Sequence, residues 1–143
     1  MAEYVYNQVQ EVEAGQNVLL QDSIPCNRGY VIHRNGSGIL TLRGIVNNPC
    51  AKFARYKVEF NGNIAVPTGG TAGEISLALA IDGEPIQTSR ARVTPTVTNA
   101  YFNITSVANI TVPAGCCLTI SIENTSGVSI NVQNSNLTVD RTA

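Results

Sequence analysis

Apolar and polar residues alternate with a period of two along most of this chain. That period puts successive side chains on opposite faces of an extended strand. From Ala51 to Asn61 it places Phe53, Arg55, Lys57 and Glu59 on one face and Ala54, Tyr56, Val58 and Phe60 on the other. The second face is predicted to be buried. From Glu74 to Asp82 it turns Ile75, Leu77, Leu79 and Ile81 inward, with Ser76, Ala78 and Ala80 opposite. Two alanines on that opposite face imply a close covering rather than open water.

Further strands are expected over Tyr4 to Val9, Asn17 to Leu20, Gly29 to Arg34, Gly38 to Arg43 and Ile64 to Val66. A long strand or a pair fits within Thr96 to Val112, and the end reads as a meander of Cys116 to Glu123, Val128 to Val132 and Leu137 to Asp140. Turn chemistry separates them. Asp82-Gly83 suits a two-residue hairpin with positive φ, so Glu84 to Thr88 is predicted to return antiparallel. Asn61-Gly62-Asn63 reads as a bend or bulge, Asn124-Thr125-Ser126-Gly127 as a turn, and Pro67 to Gly73 as a surface loop. No window carries apolar residues at helical spacing. About nine or ten strands suit two packed antiparallel sheets, an all-β sandwich of the jelly-roll kind.

At 143 residues the chain is long enough to bury a core as one domain. Residues 1–12 read as an N-terminal strand that anchors the module, and 13–143 as the single jelly roll. The alternating Tyr4, Tyr6 and Val9 would either close the sandwich's own edge or reach a neighbouring subunit, with the second role favoured here. Charged residues are 13% of the chain and the formal net charge is −1, which excludes a strong field for nucleic acid or an anionic membrane. The arginines are scattered, with no basic run interleaved with aromatics. No stretch approaches the ~20 apolar residues of a membrane-spanning helix, and Met1 to Tyr6 lacks the form of a signal peptide.

Candidate chemistry is sparse. His33 is the only histidine and Asp22, Asp82 and Asp140 the only aspartates, widely separated along the chain. No nucleophile elbow, zinc-protease motif or phosphate-binding glycine loop occurs, so no enzyme activity, metal or cofactor is expected. Cys26, Cys50, Cys116 and Cys117 lack zinc or redox spacing. They are either buried thiols or disulfide partners, including disulfides between subunits. Asn35, Asn103, Asn109, Asn124 and Asn136 each start a glycosylation sequon, at a frequency chance accounts for in so Asn- and Thr-rich a chain.

The segment from Ile75 to Ile86, an apolar-alternating strand followed by Asp-Gly and Pro-Ile, resembles part of a known superfamily. So do Ile110-Thr111-Val112-Pro113-Ala114-Gly115, Leu118 to Ser126, and Asn136-Leu137-Thr138-Val139. These units are similar to the trimeric jelly rolls of the complement and tumour-necrosis-factor superfamily, and to the C-terminal head of collagen-like glycoproteins on bacterial spores. Roughly the C-terminal half carries the likeness, and no Gly-X-Y stalk precedes it. Short chains of this look also resemble small accessory head proteins of tailed bacteriophages.

The resemblance implies a homotrimer that buries one sheet edge and an apolar face around a threefold axis. Ala78, Ala80, Tyr101 and Phe102 are the candidate contacts. It further implies a structural protein on the surface of a larger assembly, foremost a phage capsid decoration on the virion, partnered by itself and by a capsid or surface-layer protein. A spore or cell-surface fibre protein cross-linked by disulfides is the alternative. A glycan-binding jelly roll, with Tyr30, Tyr56 and Tyr101 stacking on sugars, is a third.

Overall fold

A computed structural model of the chain describes residues 2–24, 30–34, 36–44, 50 and 52–142. No α-helix occurs among them. Twelve strands do, with one short 3-10 turn at Gln87–Ser89.

The first sheet holds β1 (Ala2–Tyr6), β2 (Gln10–Val12), β3 (Asp22–Ile24), β6 (Phe53–Ala65), β10 (Phe102–Pro113) and β12 (Ile130–Arg141). Its order is β10-β6-β12-β1-β3, and β2 takes the stretch of β12 beyond β1. The second sheet holds β4 (Val31–His33), β5 (Leu40–Arg43), β7 (Ile75–Ile81), β8 (Glu84–Pro85), β9 (Ala91–Val93) and β11 (Cys117–Asn124). Its order is β4-β5-β11-β7-β8, with β9 beside the start of β7. Every pairing is antiparallel. The all-β antiparallel sandwich read from the pattern is therefore the fold.

The apolar stripes of the two sheets meet face to face. Tyr4, Tyr56, Phe60 and Leu137 of the first sheet and Leu42, Leu77, Leu79 and Ile122 of the second are all buried. In β6 the alternation holds without a fault from Phe53 to Phe60, odd positions exposed and even ones buried. Such burial removes about 25 cal/mol per Å² of apolar surface from water, the main term favouring the fold. Tyr56 brings a hydroxyl into this layer and donates it to the carbonyl of Arg43.

Four local expectations are corrected. β6 does not bend at Gly62 but runs on to Ala65, with Gly62 opposite Ile104. The glycine is needed for space: a Cβ there would lie 3.0 Å from the ring of Phe60. The irregularity sits in β12, between Gln133 and Asn136, where Asn134 has φ 57. Hence Val128 to Val132 and Leu137 to Asp140 are not two strands but one bulged strand. Asn17 to Leu20 forms a single bridge to Glu123 rather than a strand, yet still sinks Val18 and Leu20 into the core.

The fourth correction concerns the return after Asp82-Gly83. Both turn residues have positive φ, 50 and 86, as the hairpin reading requires. The returning strand lasts only Glu84–Pro85, however. The Ser89 hydroxyl then takes over, accepting from the Leu79 amide at 3.0 Å. A side chain has replaced the ladder, which alternation alone does not reveal.

Candidate functional site

The two outer faces of the sandwich differ. On the first sheet the outward residues of β6 and β10 stand clear of any covering element: Arg55, Lys57, Glu59 and Asn61 lie across from Thr111, Asn109, Val107 and Thr105, and all eight are exposed. The face is graded along its length. One end carries Phe53 opposite Pro113, then the cations Arg55 and Lys57, with Asp140 of β12 level with Lys57. The middle carries Glu59 and Val107, the latter 41% exposed.

The other end is an amide ladder. Asn103 donates to Asn61 at 2.8 Å, Asn63 donates to Asn134 at 3.0 Å, and Asn134 donates on to Asn7. Asn136 donates to the Glu3 carboxylate at 3.0 Å. The ladder runs from β10 across β6 and β12 to Asn7 in the loop after β1, and stiffens a surface that would otherwise be a row of independent side chains. The cations and carboxylates at the opposite end are not neutralised in this way. Among the described residues the single ion pair is Arg92 with Glu74, 3.8 Å apart and on the second sheet.

The outer face of the second sheet is small and closed. Ser76, Ala78 and Ala80 of β7 and Ser121 of β11 have almost no exposure. They lie below the level of their cross-strand neighbours: Ala78 is level with Glu123, and Ala80 is flanked by Ser121 and Pro85. A shallow depression of about 330 Å³, lined by Pro85, Gln87, Arg90 and Glu123, marks this side. A second open groove of about 640 Å³ runs between Val66–Thr71, Glu11, Glu13 and Gly127–Ser129.

Two carboxylates are perturbed. Asp82 Oδ1 accepts from the Thr119 hydroxyl at 2.7 Å and the Thr119 amide at 3.0 Å, which holds its pKa below the usual aspartate value. Stability from that contact is present above the unfolded aspartate pKa and is lost as pH falls through the lowered one. Glu123 shifts the other way, raised first by desolvation and then by the nearby Glu84. Its Oε2 is buried without a hydrogen-bond partner. The raised carboxyl therefore weakens the fold above its folded pKa and ceases to do so below the ordinary glutamate value of 4.5. Replacing Glu123 by Gln is expected to raise the melting temperature at pH 7, by an amount that solvent screening keeps small, and to leave it unchanged at pH 3. Thermal melts at the two pH values check this.

The candidate residues are spread across these features. Tyr101 and Phe102 are 38% and 40% exposed at the start of β10, on the rim of the open face. Ala78 and Ala80 are already buried within the single chain. Tyr4 is a core residue at 2% exposure, Tyr6 is half-buried, and Val9 lies exposed between β1 and β2. The strand that carries Tyr4 is hydrogen-bonded on both edges, to β12 and to β3. It is a central strand of this sandwich, not a free arm, because Ala2 and Tyr4 fill the space between the sheets.

His33 packs its ring 4.8 Å from that of Tyr4 and has Nε2 2.9 Å from the Ser37 carbonyl. Among the described residues no three His, Cys, Asp or Glu side chains converge as metal ligands. Of the tyrosines considered for sugar stacking, Tyr56 is buried, and Tyr30 lies under the Arg141 guanidinium, 4.2 Å from the ring centre. Only Tyr101 of that set stands exposed. Cys50, Cys116 and Cys117 are exposed, whereas Cys26 and Asn35 fall outside the described residues.

Sequence reasoning missed the amide ladder and the buried Asn124. The Asn124 Nδ2 donates to the carbonyls of Val12 and Val128, and its Oδ1 accepts from the amide and hydroxyl of Ser126. That sequon's amide is thus fully used inside the fold. The one available signal for both features was the density of Asn at strand positions, where it is ordinarily scarce.

No protein-family model matches the sequence, and no curated protein matches it. Solved structures do resemble the fold. The globular domain of zebrafish complement 1qA protein superposes with a TM-score of 0.57 at 14% identity, covering 94% of this chain and 93% of that one. At that identity the likeness is one of fold, and it extends the jelly-roll reading beyond the C-terminal half to 94% of the chain. Two carbohydrate-binding modules superpose more loosely. CBM35 from Cellvibrio japonicus Abf62 does so at 10% identity with a TM-score of 0.37, covering 100% of this chain and 99% of that one. The CBM22-1 xylan-binding domain from Paenibacillus barcinonensis Xyn10C does so at 11% identity and 0.36, covering 99% of this chain and 87% of that one.

Proposed function

We propose that this chain is a non-enzymatic structural module that assembles as a homotrimer and decorates the surface of a larger particle, foremost a bacteriophage capsid. The observation that carries the reading is the outer face of the first sheet. It is exposed, stiffened by amides at one end, and lined elsewhere by cations, carboxylates and apolar residues that make no ion pair with one another among the described residues. Cyclic copies would set Arg55 and Lys57 of one against Glu59 and Asp140 of the next around Val107 and Tyr101, an arrangement complementary in charge. Avidity from three copies would then hold the module on a repeating surface without any chemistry.

Attachment through the first strand, as the sequence suggested, has no support, since both of its edges are occupied. The loops at the ends of the sandwich are the remaining means of reaching the particle. A spore or cell-surface layer would use the same module in the same way, and neighbouring genes discriminate the settings: capsid and portal genes for the virion, sporulation genes for the other.

Light scattering of the purified protein at micromolar concentration is expected to give three times the 15.2 kDa chain mass. Val107→Asp, which sets a second carboxylate directly across from Glu59, should return the mass to that of one chain. Because Val107 faces outward, the melting temperature of the separated chain should move by less than about 3 °C. A wild-type mass of 15.2 kDa sinks the proposal.

A further inference from the structure

We propose that Cys116 and Cys117 form a covalent cross-linking site, through which one copy of this chain is joined by disulfides to two others. Both thiols are exposed and free. They stand on a clamped turn rather than a loose loop. The Cys116 amide donates to the Pro113 carbonyl at 3.1 Å, and Gly115 takes φ 76 to close the turn. Two more backbone bonds pin it to the strand ends beside it, Ala114 N to Lys52 O at 2.9 Å and Gly44 N to Cys116 O at 2.8 Å. Gly44 is required for that approach, because a Cβ there would come within 2.4 Å of the Pro113 carbonyl oxygen.

Cys117 opens β11, where alternation directs it outward with Thr119 and Ser121 while Leu118, Ile120 and Ile122 turn to the core. Cys116 precedes it, and successive extended residues point to opposite sides. The two sulfurs therefore leave the turn in divergent directions. Divergence decides the product. A chain with one accessible thiol stops at a dimer, whereas two divergent thiols propagate. The corner is the connection from β10 to β11 and borders the Phe53–Pro113 end of the first sheet. The inference does not depend on trimerisation.

Arg43, paired across from Cys117, and Lys52 are exposed and give the corner positive charge. That suits an anionic small-molecule disulfide such as oxidised glutathione as co-reactant. A Cys117 thiolate attacks one glutathione sulfur, the S–S bond breaks, and a glutathione thiolate leaves and takes up a proton. A thiolate of a second copy then attacks the mixed disulfide and expels the second glutathione. Two protein thiols are oxidised and one small disulfide is reduced, so electrons balance.

Incubation of the full chain with limiting oxidised glutathione, alkylation of remaining thiols and a non-reducing denaturing gel test this. The expected result is a ladder that extends past dimer, collapses with dithiothreitol, and yields intermolecular linkages at Cys116 and Cys117 on peptide mapping. The double variant Cys116→Ser, Cys117→Ser, made in a Cys26→Ser background, should lose every band above dimer, while Cys50→Ser alone keeps the ladder. Detergent dissolves non-covalent assemblies, so a failure here says nothing about the trimer. A Cys116–Cys117 disulfide within one chain, no ladder, or a ladder unchanged in the double variant overturns the proposal.

Discussion

Removal of residues 2–6 is expected to abolish cooperative folding, not merely attachment. The deletion takes away Ala2 and Tyr4, both buried between the sheets, and strips a strand that pairs with β12 on one side and β3 on the other. Loss of a buried aromatic alone costs about 3–5 kcal/mol. Exposing two strand edges in mid-sheet adds to that, against a net stability of about 5–15 kcal/mol for a domain. Circular dichroism and a thermal melt check it: the truncated chain should show no cooperative transition. A truncated chain that melts like the parent would return β1 to the role of a free arm.

Asn124→Asp has the next largest expected effect. The side chain is 1% exposed and makes four hydrogen bonds, two donated to the carbonyls of Val12 and Val128 and two accepted from Ser126. Through Ser126 the same corner reaches Ser76, whose amide donates to the Ser126 hydroxyl. Aspartate keeps the accepting half but turns the donating half into a charge facing two carbonyls. About 3–5 kcal/mol should be lost at pH 7, a fall in melting temperature of roughly 10 °C. The carboxyl introduced has a raised folded pKa, so the loss is full above that pKa and shrinks as pH falls through it, when the acid can again donate one bond. Melts of parent and variant from pH 3 to 8 should converge in part at the acid end. An equal loss at all pH values would contradict the assignment of donor and acceptor.

These two sites show where the sequence was legible and where it was not. The alternation of Phe53 to Phe60 identified both the strand and its buried face, because a period of two is a local property that burial then enforces. Asp82-Gly83 was equally legible, since positive φ at both residues is a local demand. Tyr4 was legible as a strand residue but not as a core one. A strand's free edges look the same whether its partners lie in its own chain or another, and Leu137 is far along the sequence from Tyr4.

Asn124 was read as a turn residue for the same reason: its partner Val12 comes from the other end of the chain. The alanines of β7 misled in a different way. Small outward residues meant a covered face, as inferred, and they are already buried in the single chain, level with Glu123 and Pro85 on the neighbouring strands. The open face of the first sheet was visible only as the polar half of the pattern. What brings Arg55, Lys57, Glu59 and Asp140 onto one surface is the pairing of β6 with β12, which no local signal encodes.

The claim that the first sheet faces a shared axis is tested most directly by distances between spin labels in the assembled protein. A label carried on a non-natural amino acid leaves the native cysteines untouched. One goes at Asn109 on the outer face of the first sheet, another at Thr119 on the outer face of the second. Two packed sheets lie about 10 Å apart, so in a threefold ring the label-to-label distance at Asn109 should be shorter by about 17 Å than that at Thr119. A shorter distance at Thr119, or no dipolar coupling at Asn109, would contradict the account.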